Sequence, residues 1–168
     1  TLSIETADGR DIFSRLLETA DIVIESFPPG HMDSLGLGYQ ELERINPRII
    51  LTSITPFGQS GPYRDFKATD MTTWALGGMM YLCGDPDRPP VQPGVPQAYF
   101  HGSIHGAMGS MVALYYRELT GEGQHVDVSA QEAVDFANMV EDEAYDLLNV
   151  NVTRSGPFWA LARPGQLG

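Results

Sequence analysis

The sequence predicts an α/β fold with a parallel sheet, and three observations support this prediction. Two short β-branched segments, "DIVIESF" and "RIILTSI", have the apolar character of buried parallel strands. Segments with helical spacing precede and separate them, as helical crossovers between parallel strands require. A third short segment, "HVDVS", follows a long apolar helix and a glycine-containing turn. The 168 residues are enough for one domain with a sizeable core.

The first half of the chain is predicted to alternate strands and helices. Residues 1–5, "TLSIE", alternate in polarity and are expected to form a short strand. The apolar residues of "DGRDIFSRLLETA" recur at helical spacing, and "YQELERINP" is expected to be a short helix that Pro47 ends. The connection at 55–70 is rich in glycine and proline, and loops of that length in a compact domain are often functional.

The second half is predicted to be mainly helical. A buried helix is expected at 71–82 and a long helix at 100–119, with a proline-rich loop between them. Ser129 is expected to cap a further helix, with Glu132 completing a capping box, and that helix is expected to run to about Leu148. Its acidic stretch, "EDEAYD", is predicted to be a solvated face.

Composition and charge exclude several function classes. The formal net charge of −12 leaves no basic patch that could neutralise nucleic-acid phosphates or an anionic membrane surface. The longest apolar run is too short to span a bilayer. Cys83 is the single cysteine, so no intrachain disulfide is possible, and a cytoplasmic location is expected.

The stretch "PQAYFHGSIHGAMG" places three glycines, Gly102, Gly106 and Gly109, on one face of the long helix. Glycine lowers helix stability, so this face is expected to allow the close approach of another backbone. His101 and His105 also share a face, but no acidic residue of a zinc-protease motif lies between them. We therefore predict no metal site here.

The chain resembles the family III CoA-transferases, which include formyl-CoA, carnitine and bile-acid CoA-transferases. The motifs that carry the resemblance are "ESFPPG…LGLGY", "NPRIILTSITPFGQSGPY" and "TGEGQHVDVS", in that order. The resemblance implies a Rossmann-like large domain, here as a fragment. Residues 1–128 are expected to be part of that CoA-binding domain, and 129–168 a helix and linker leading toward a small domain. Family members are dimers of interlocked chains, so a homodimer or a heterodimer with a homologous chain is expected.

The resemblance also implies a covalent reaction. In the family, an aspartate just before the glycine-faced helix attacks an acyl-CoA thioester, and CoA then passes to a carboxylic acid. The pattern "GVPQAYFHG" places Tyr99 at the aspartate's position. A phenol has a reference pKa of about 10, against about 4 for a carboxyl group, so it is a poor replacement.

Three readings of this substitution stay open. The chain is a CoA-transferase, or it is a catalytically degenerate subunit that partners an active homologue, or it is a lyase or racemase acting on CoA thioesters. A racemase needs two acid/base groups, and the corresponding positions here are Thr69 and Tyr99, which do not suit that role.

The resemblance assigns CoA-contact positions as well. Leu2, Phe27, Lys67 and Asp70 are the expected positions, with Phe27 covering the adenine and Lys67 reaching a phosphate. Where relatives often carry a lysine near the first strand this chain has Glu5, and Ser34 replaces an arginine. Acyl-CoA is expected as a substrate, with no permanently bound cofactor.

Overall fold

The computed structural model describes residues 1–156 of the chain. Within that range the helices and strands alternate through the first half and become mainly helical in the second. The elements in chain order are α1 (Ala7–Leu17), β1 (Ile22–Glu25), α2 (His31–Ser34), α3 (Tyr39–Ile45), β2 (Ile50–Thr55), α4 (Asp70–Leu76), α5 (Met79–Leu82), α6 (Gln97–Thr120), β3 (Gln124–Ser129), α7 (Ala130–Asp135), a 3-10 turn (Phe136–Asn138) and α8 (Met139–Leu148).

The sheet has three parallel strands in the order β1-β2-β3. Ile22 of β1 is level with Ile50 of β2, and Thr55 at the end of β2 is level with Ser129 of β3. Each connection between neighbouring strands contains helices, because parallel strands need a crossover. The predicted α/β fold with a parallel sheet is confirmed.

Helices cover both faces of the sheet. On one face Leu51 packs into a buried cluster with side chains from α1, α2 and α3. On the opposite face the Thr52 hydroxyl is 2.7 Å from that of Ser110 on α6, and both side chains are buried. The cluster on the first face comprises Leu17, Met32, Leu37, Leu42, Ile49 and Leu51.

The amino-terminal segment differs from its prediction. Residues 1–5 form no strand and instead lead into α1. The Thr6 hydroxyl accepts a hydrogen bond from the backbone N–H of Gly9 and donates to the Ser3 carbonyl, which turns the chain into the helix. A strand needs a neighbouring strand for its backbone groups, and within residues 1–156 none pairs with this segment.

The helix predicted at 71–82 is wrong as a single element. It divides into α4 and α5 at Gly77 and Gly78, and Gly78 has a φ of +85° that ends the helical geometry. A Cβ at Gly77 would lie 2.5 Å from Val134 Cγ1, so close packing also favours glycine. Met71 is about half exposed, while Trp74 is buried, so only one side of α4 lies in the interior.

The helix that begins after Ser129 is also interrupted. Ser129 caps it as predicted, because its hydroxyl accepts from the Glu132 backbone N–H, but among residues 1–156 the Glu132 side chain makes no return hydrogen bond, so the predicted capping box is only half formed. The chain then tightens into the 3-10 turn, where the buried Asn138 amide donates to the Gly77 carbonyl at 2.6 Å. The domain boundary near 129 stays a prediction, and residues 157–168 lie outside the described part of the chain.

The glycine face of α6 packs on the sheet as closely as predicted, but mainly against side chains. A Cβ at Gly106 would lie 2.6 Å from Ile54 Cδ1, and one at Gly109 would lie 2.6 Å from Val126 Cγ1. At Gly102 the nearest atom would be Cβ of Ala130, at 3.1 Å. The prediction of a backbone neighbour is therefore corrected: glycine leaves room for branched side chains on β2 and β3. None of the helices described here is long and apolar enough to cross a bilayer.

The acidic part of α8 faces solvent, as its composition predicts, but its carboxylates lie close enough together to repel one another. Burial raises the pKa of Asp142, and the nearby carboxylates of Asp135, Asp146 and Glu141 raise it further. A raised pKa in the folded state means that folding takes up protons just above the ordinary carboxyl range. Stability therefore falls as pH rises through that window.

We expect Asp142→Asn to raise the free energy of unfolding at pH 7 by about 0.5 kcal/mol, the size typical of an exposed charge. Below pH 3 the gain should vanish, because the carboxyl group is then protonated in both states. Urea titrations at the two pH values measure the difference. Glu143→Gln removes the same charge from the same helix outside that group of carboxylates, and an equal gain from it would contradict this assignment.

Candidate functional site

A cavity of about 480 Å³ opens at the carboxyl edge of the sheet, beside the start of α6. Ligands of open α/β sheets bind at this edge because the chain leaves the strands there and neighbouring connections diverge. The lining is mixed apolar and polar. It consists of Ile24, Glu25, Ser26, Ile54, Thr55, Pro56, Tyr99, Ser103 and Ala130.

Tyr99 is held by its backbone in the first turn of α6. Its N–H donates to a carboxylate oxygen of Asp70 at 3.0 Å, and its carbonyl accepts from the Ser103 hydroxyl at 2.7 Å. The side chain is 49% exposed and lines the cavity. The backbone of Tyr99 is thus held at both its N–H and its carbonyl, and its phenol side chain lies at the cavity.

The carboxylate of Asp70 accepts hydrogen bonds from other groups of the protein. It is the first residue of α4, it is buried, and its other carboxylate oxygen accepts from the Gln92 side chain at 3.4 Å. Because helix α6 has no side-chain cap of its own at Pro96, Asp70 supplies an acceptor to its first turn from a distant element. Of the predicted site residues, Tyr99 and Asp70 are the two that the structure joins directly.

Sequence reasoning missed four polar groups of the cavity, one of which is the buried carboxylate of Glu25. Ser26, Thr55 and Ser103 line it, and the buried Thr55 hydroxyl has no hydrogen-bond partner among residues 1–156. A buried hydroxyl without a partner is unfavourable unless a ligand or water supplies one. The sequence could have indicated two of them. Ser26 and Thr55 lie at the carboxyl ends of predicted strands, and ligands of parallel sheets bind at that edge.

Phe27 belongs to a small cluster next to the cavity. Its ring centroid lies 4.8 Å from that of His31, and its N–H donates to the buried Glu25 carboxylate at 2.7 Å. His31 Nε2 in turn lies 3.2 Å from a carboxylate oxygen of Glu5. The His31 imidazole therefore lies beside both Phe27 and Glu5, the acidic residue at the position where relatives often carry a lysine.

Leu2 and Lys67 do not line the cavity. Lys67 is exposed on the long connection and makes no hydrogen bond or ion pair to the other described residues. Leu2 is 40% exposed near the amino terminus. Their predicted contacts with CoA stay predictions. The two histidines of α6 contact separate aromatic rings, since His101 lies beside Trp74 and His105 beside Phe136.

A second, more polar cavity of about 490 Å³ lies against the opposite face of the sheet. There the Ser53 hydroxyl is 2.9 Å from His125 Nε2, and the imidazole stacks on Tyr39. Burial raises the pKa of the Tyr39 phenol, helped by the neighbouring Glu43 carboxylate. These groups satisfy one another within the fold. No cluster of three or more metal-binding side chains occurs within residues 1–156.

Comparison with known proteins identifies the family. The family model described as CoA-transferase family III matches residues 1–156. A succinyl-CoA:(R)-benzylsuccinate CoA-transferase subunit from Thauera aromatica is 42% identical over 132 residues, which is 79% of this chain and 32% of that protein. The succinyl-CoA–L-malate CoA-transferase beta subunit of Chloroflexus aurantiacus is 38% identical over 135 residues, covering 80% and 33%.

A solved structure agrees with these sequence relatives. The crystal structure of a CAIB/BAIF family protein from Brucella suis superposes with a TM-score of 0.88 at 36% identity, over 93% of this chain and 41% of that one. The chain spans about a third of the length of the curated relatives it matches. It belongs to CoA-transferase family III.

Proposed function

We propose that this chain supplies an acyl-CoA cleft to an enzyme that moves CoA from an acyl-CoA thioester to a carboxylic acid. The observation that carries the proposal is the cavity at the carboxyl edge of the sheet, with the first turn of α6 beside it. The exposed Ser26 also lines that cavity, and its hydroxyl group can donate a hydrogen bond to a thioester or carboxylate oxygen. CoA enters as a substrate, and no permanently bound cofactor is required.

The proposed CoA path runs from the amino terminus to the start of α6. Phe27 covers the adenine with its exposed ring, Lys67 reaches a phosphate with its free ammonium group, and Leu2 contacts the nucleotide end. Asp70 contributes by fixing the backbone of Tyr99. The single cysteine and the acidic charge fit a cytoplasmic location.

A second candidate function is that of a catalytically degenerate subunit. Tyr99 favours it, because a phenol cannot form the acyl anhydride that the family's aspartate forms. In that case the chain pairs with a homologous chain that carries the carboxylate, and its own cleft shapes the shared assembly. The Chloroflexus relative is itself named as a beta subunit. The dimer is then a heterodimer rather than a homodimer.

A transfer assay tests the function. The full-length protein, alone or co-expressed with a homologous chain bearing the aspartate, is incubated with succinyl-CoA and a panel of carboxylic acids, and new thioesters are identified by mass spectrometry. Turnover by the protein alone supports the first candidate, and turnover that needs the homologue supports the second. If no donor or acid is turned over in either format, both candidates are wrong.

Glu5→Lys is expected to strengthen CoA binding. The carboxylate near Phe27 and His31 repels phosphates, and exchanging it for an ammonium group is worth about 1 kcal/mol, or roughly fivefold in affinity. The gain should be larger at 20 mM than at 300 mM salt, because exposed charges are screened. Isothermal titration of the full-length protein with CoA at the two salt concentrations measures the change.

Two further variants complete the titration. Glu5→Gln removes the negative charge without adding a cation and should give an intermediate affinity. Glu143→Lys makes the same charge change on α8, away from the cleft, and should have little effect. Equal gains at Glu5 and Glu143 would show that only net charge matters, and tight salt-insensitive binding by the unmodified protein would place the nucleotide elsewhere.

A further inference from the structure

Glu25 is a buried carboxylate that lines both the cavity beside α6 and the second, more polar cavity. It is the last residue of β1, and 8% of its surface is exposed. Within residues 1–156 it forms no ion pair, so hydrogen bonds must stabilise it there. A buried charge without a cation is unfavourable unless its oxygens accept such bonds. The partners of this carboxylate therefore indicate its role.

The shorter of its hydrogen bonds fixes the turn that follows β1. Glu25 Oε2 accepts from the Phe27 backbone N–H at 2.7 Å. The strand ends at Glu25, so this N–H has no partner in the sheet, and the next two residues are prolines, which have no N–H to offer. A hydrogen bond to a carboxylate is roughly twice as strong as one between neutral groups. The side chain of Glu25 thus holds the backbone of Phe27.

The ring of Phe27 is held by a second contact. Gly30 has a φ of +78°, and the His31 backbone N–H donates to the Pro28 carbonyl at 3.0 Å. This turn places the His31 imidazole against the Phe27 ring, with 4.8 Å between centroids and 36° between the ring planes. Contacts within the protein therefore fix both the backbone and the ring of Phe27. A side chain that is already fixed loses less conformational freedom when a ligand binds.

The other carboxylate oxygen reaches the long connection after β2. Glu25 Oε1 accepts from Gln59 Nε2 at 3.5 Å, which is the weaker of the two bonds. The Gln59 backbone N–H donates to the Asp127 carboxylate on β3, at 3.0 and 3.1 Å from its two oxygens. Glu25 is therefore held in place by a residue that is itself attached to the far strand of the sheet.

We propose that Glu25 is a positioning residue for CoA, which holds Phe27 in the orientation in which its ring stacks on the adenine. The inference rests on the proposed function, because that function places the adenine on Phe27. Glu25 itself does not contact the nucleotide. Its negative charge alone would repel the phosphates of CoA. A positioning role and a purely electrostatic role therefore predict opposite effects when the carboxylate is removed.

Titration of the full-length protein with CoA separates these two roles. Glu25→Ala removes the acceptor and should weaken CoA binding about tenfold, because Phe27 is then no longer fixed. Glu25→Gln removes the charge but keeps an acceptor oxygen for the Phe27 N–H, so it should bind CoA at least as tightly as the wild-type protein. Tighter binding by Glu25→Ala would show that the carboxylate acts only through its charge, and it would overturn the inference.

Two fragments of CoA locate the effect on the ligand. Glu25→Ala should weaken binding of 3′,5′-ADP, which carries the adenine, by the same factor as binding of CoA. It should leave 4′-phosphopantetheine unaffected, because that fragment has no base to stack. Ligand-observed NMR measures both affinities in the full-length protein. Equal losses for the two fragments would indicate a general disturbance of the cleft and would contradict a role in positioning Phe27.

A double-mutant cycle tests whether Glu25 acts through Phe27. Phe27→Ala should weaken CoA binding, and adding Glu25→Ala to it should cause no further loss. Glu25→Met fills a similar volume without an acceptor, and it takes the place of Glu25→Ala if that variant does not fold. If Phe27→Ala weakens binding but neither Glu25 variant does, the inference is wrong and the proposed CoA path stands. If CoA does not bind, or Phe27→Ala binds it normally, the proposed path is wrong and the inference falls with it.

Discussion

Acyl-CoA donors should leave no covalent adduct on the wild-type protein, whereas Tyr99→Asp should acquire a stoichiometric acyl or CoA adduct. The wild-type phenol cannot form an anhydride, because an acyl group on a phenol oxygen gives an aryl ester. A carboxylate at the same position would be ionised and placed in the cavity at the start of α6. The expected difference is therefore all or nothing.

The backbone around Tyr99 is suited to such a test. Its N–H is held by the Asp70 carboxylate and its carbonyl by the Ser103 hydroxyl, so the substitution changes the side chain without releasing the first turn of α6. Because the side chain is about half exposed, the smaller aspartate leaves no closed internal void. The negative charge of Asp70 lies close by, but its oxygens are engaged in hydrogen bonds.

The measurement uses the full-length protein and intact-mass spectrometry after incubation with succinyl-CoA. Hydroxylamine should displace the acyl or CoA group from Tyr99→Asp, because it attacks anhydrides and thioesters, and attack at the aspartyl carbonyl leaves a hydroxamate on that side chain. Tyr99→Asn has the same shape without the carboxylate and should remain unmodified. A hydroxylamine-sensitive adduct on the wild-type protein would show that another carboxylate is the nucleophile and that Tyr99 does not occupy the aspartate's position.

The contact between Tyr99 and Asp70 illustrates what the sequence could not reveal. Both residues were candidates, but they are 29 positions apart in the sequence, and their hydrogen bond depends on how α4 packs beside α6. The resemblance suggested a ligand contact for Asp70. Burial and the missing side-chain cap at the start of α6 give the carboxylate a partner within the protein.

The strands were predictable where burial dominates the pattern. β1 and β2 are short β-branched segments bounded by helices, and such segments have few alternatives to a parallel sheet. Residues 1–5 alternate in polarity, which is also typical of strands, yet they form no strand, because alternation says nothing about whether a neighbouring strand exists. The break at Gly77 likewise follows from a tertiary neighbour, Val134, that local periodicity cannot identify.

The glycine face of α6 was visible in the sequence, and its packing now gives a prediction with a large effect. Gly106→Leu should lower the free energy of unfolding by about 3 kcal/mol or more through overpacking. Even the Cβ would lie 2.6 Å from Ile54 Cδ1 and 3.1 Å from its Cγ1, on a sheet whose neighbouring Thr52 is fully buried. The intrinsic helix propensity of leucine returns only about 1 kcal/mol, so the steric cost dominates.

Chemical denaturation of the full-length protein measures this loss, and two variants isolate its cause. Ala107→Leu adds a leucine at the adjacent, exposed position of the same helix and should be nearly neutral. Ile54→Ala removes the atoms that an added side chain at 106 would meet, so the combination with Gly106→Leu should destabilise less than the sum of the two single changes. Strictly additive changes in the free energy of unfolding, or a neutral Gly106→Leu, would mean that α6 does not pack closely on β2 at Gly106. The glycine face would then have a role other than close packing.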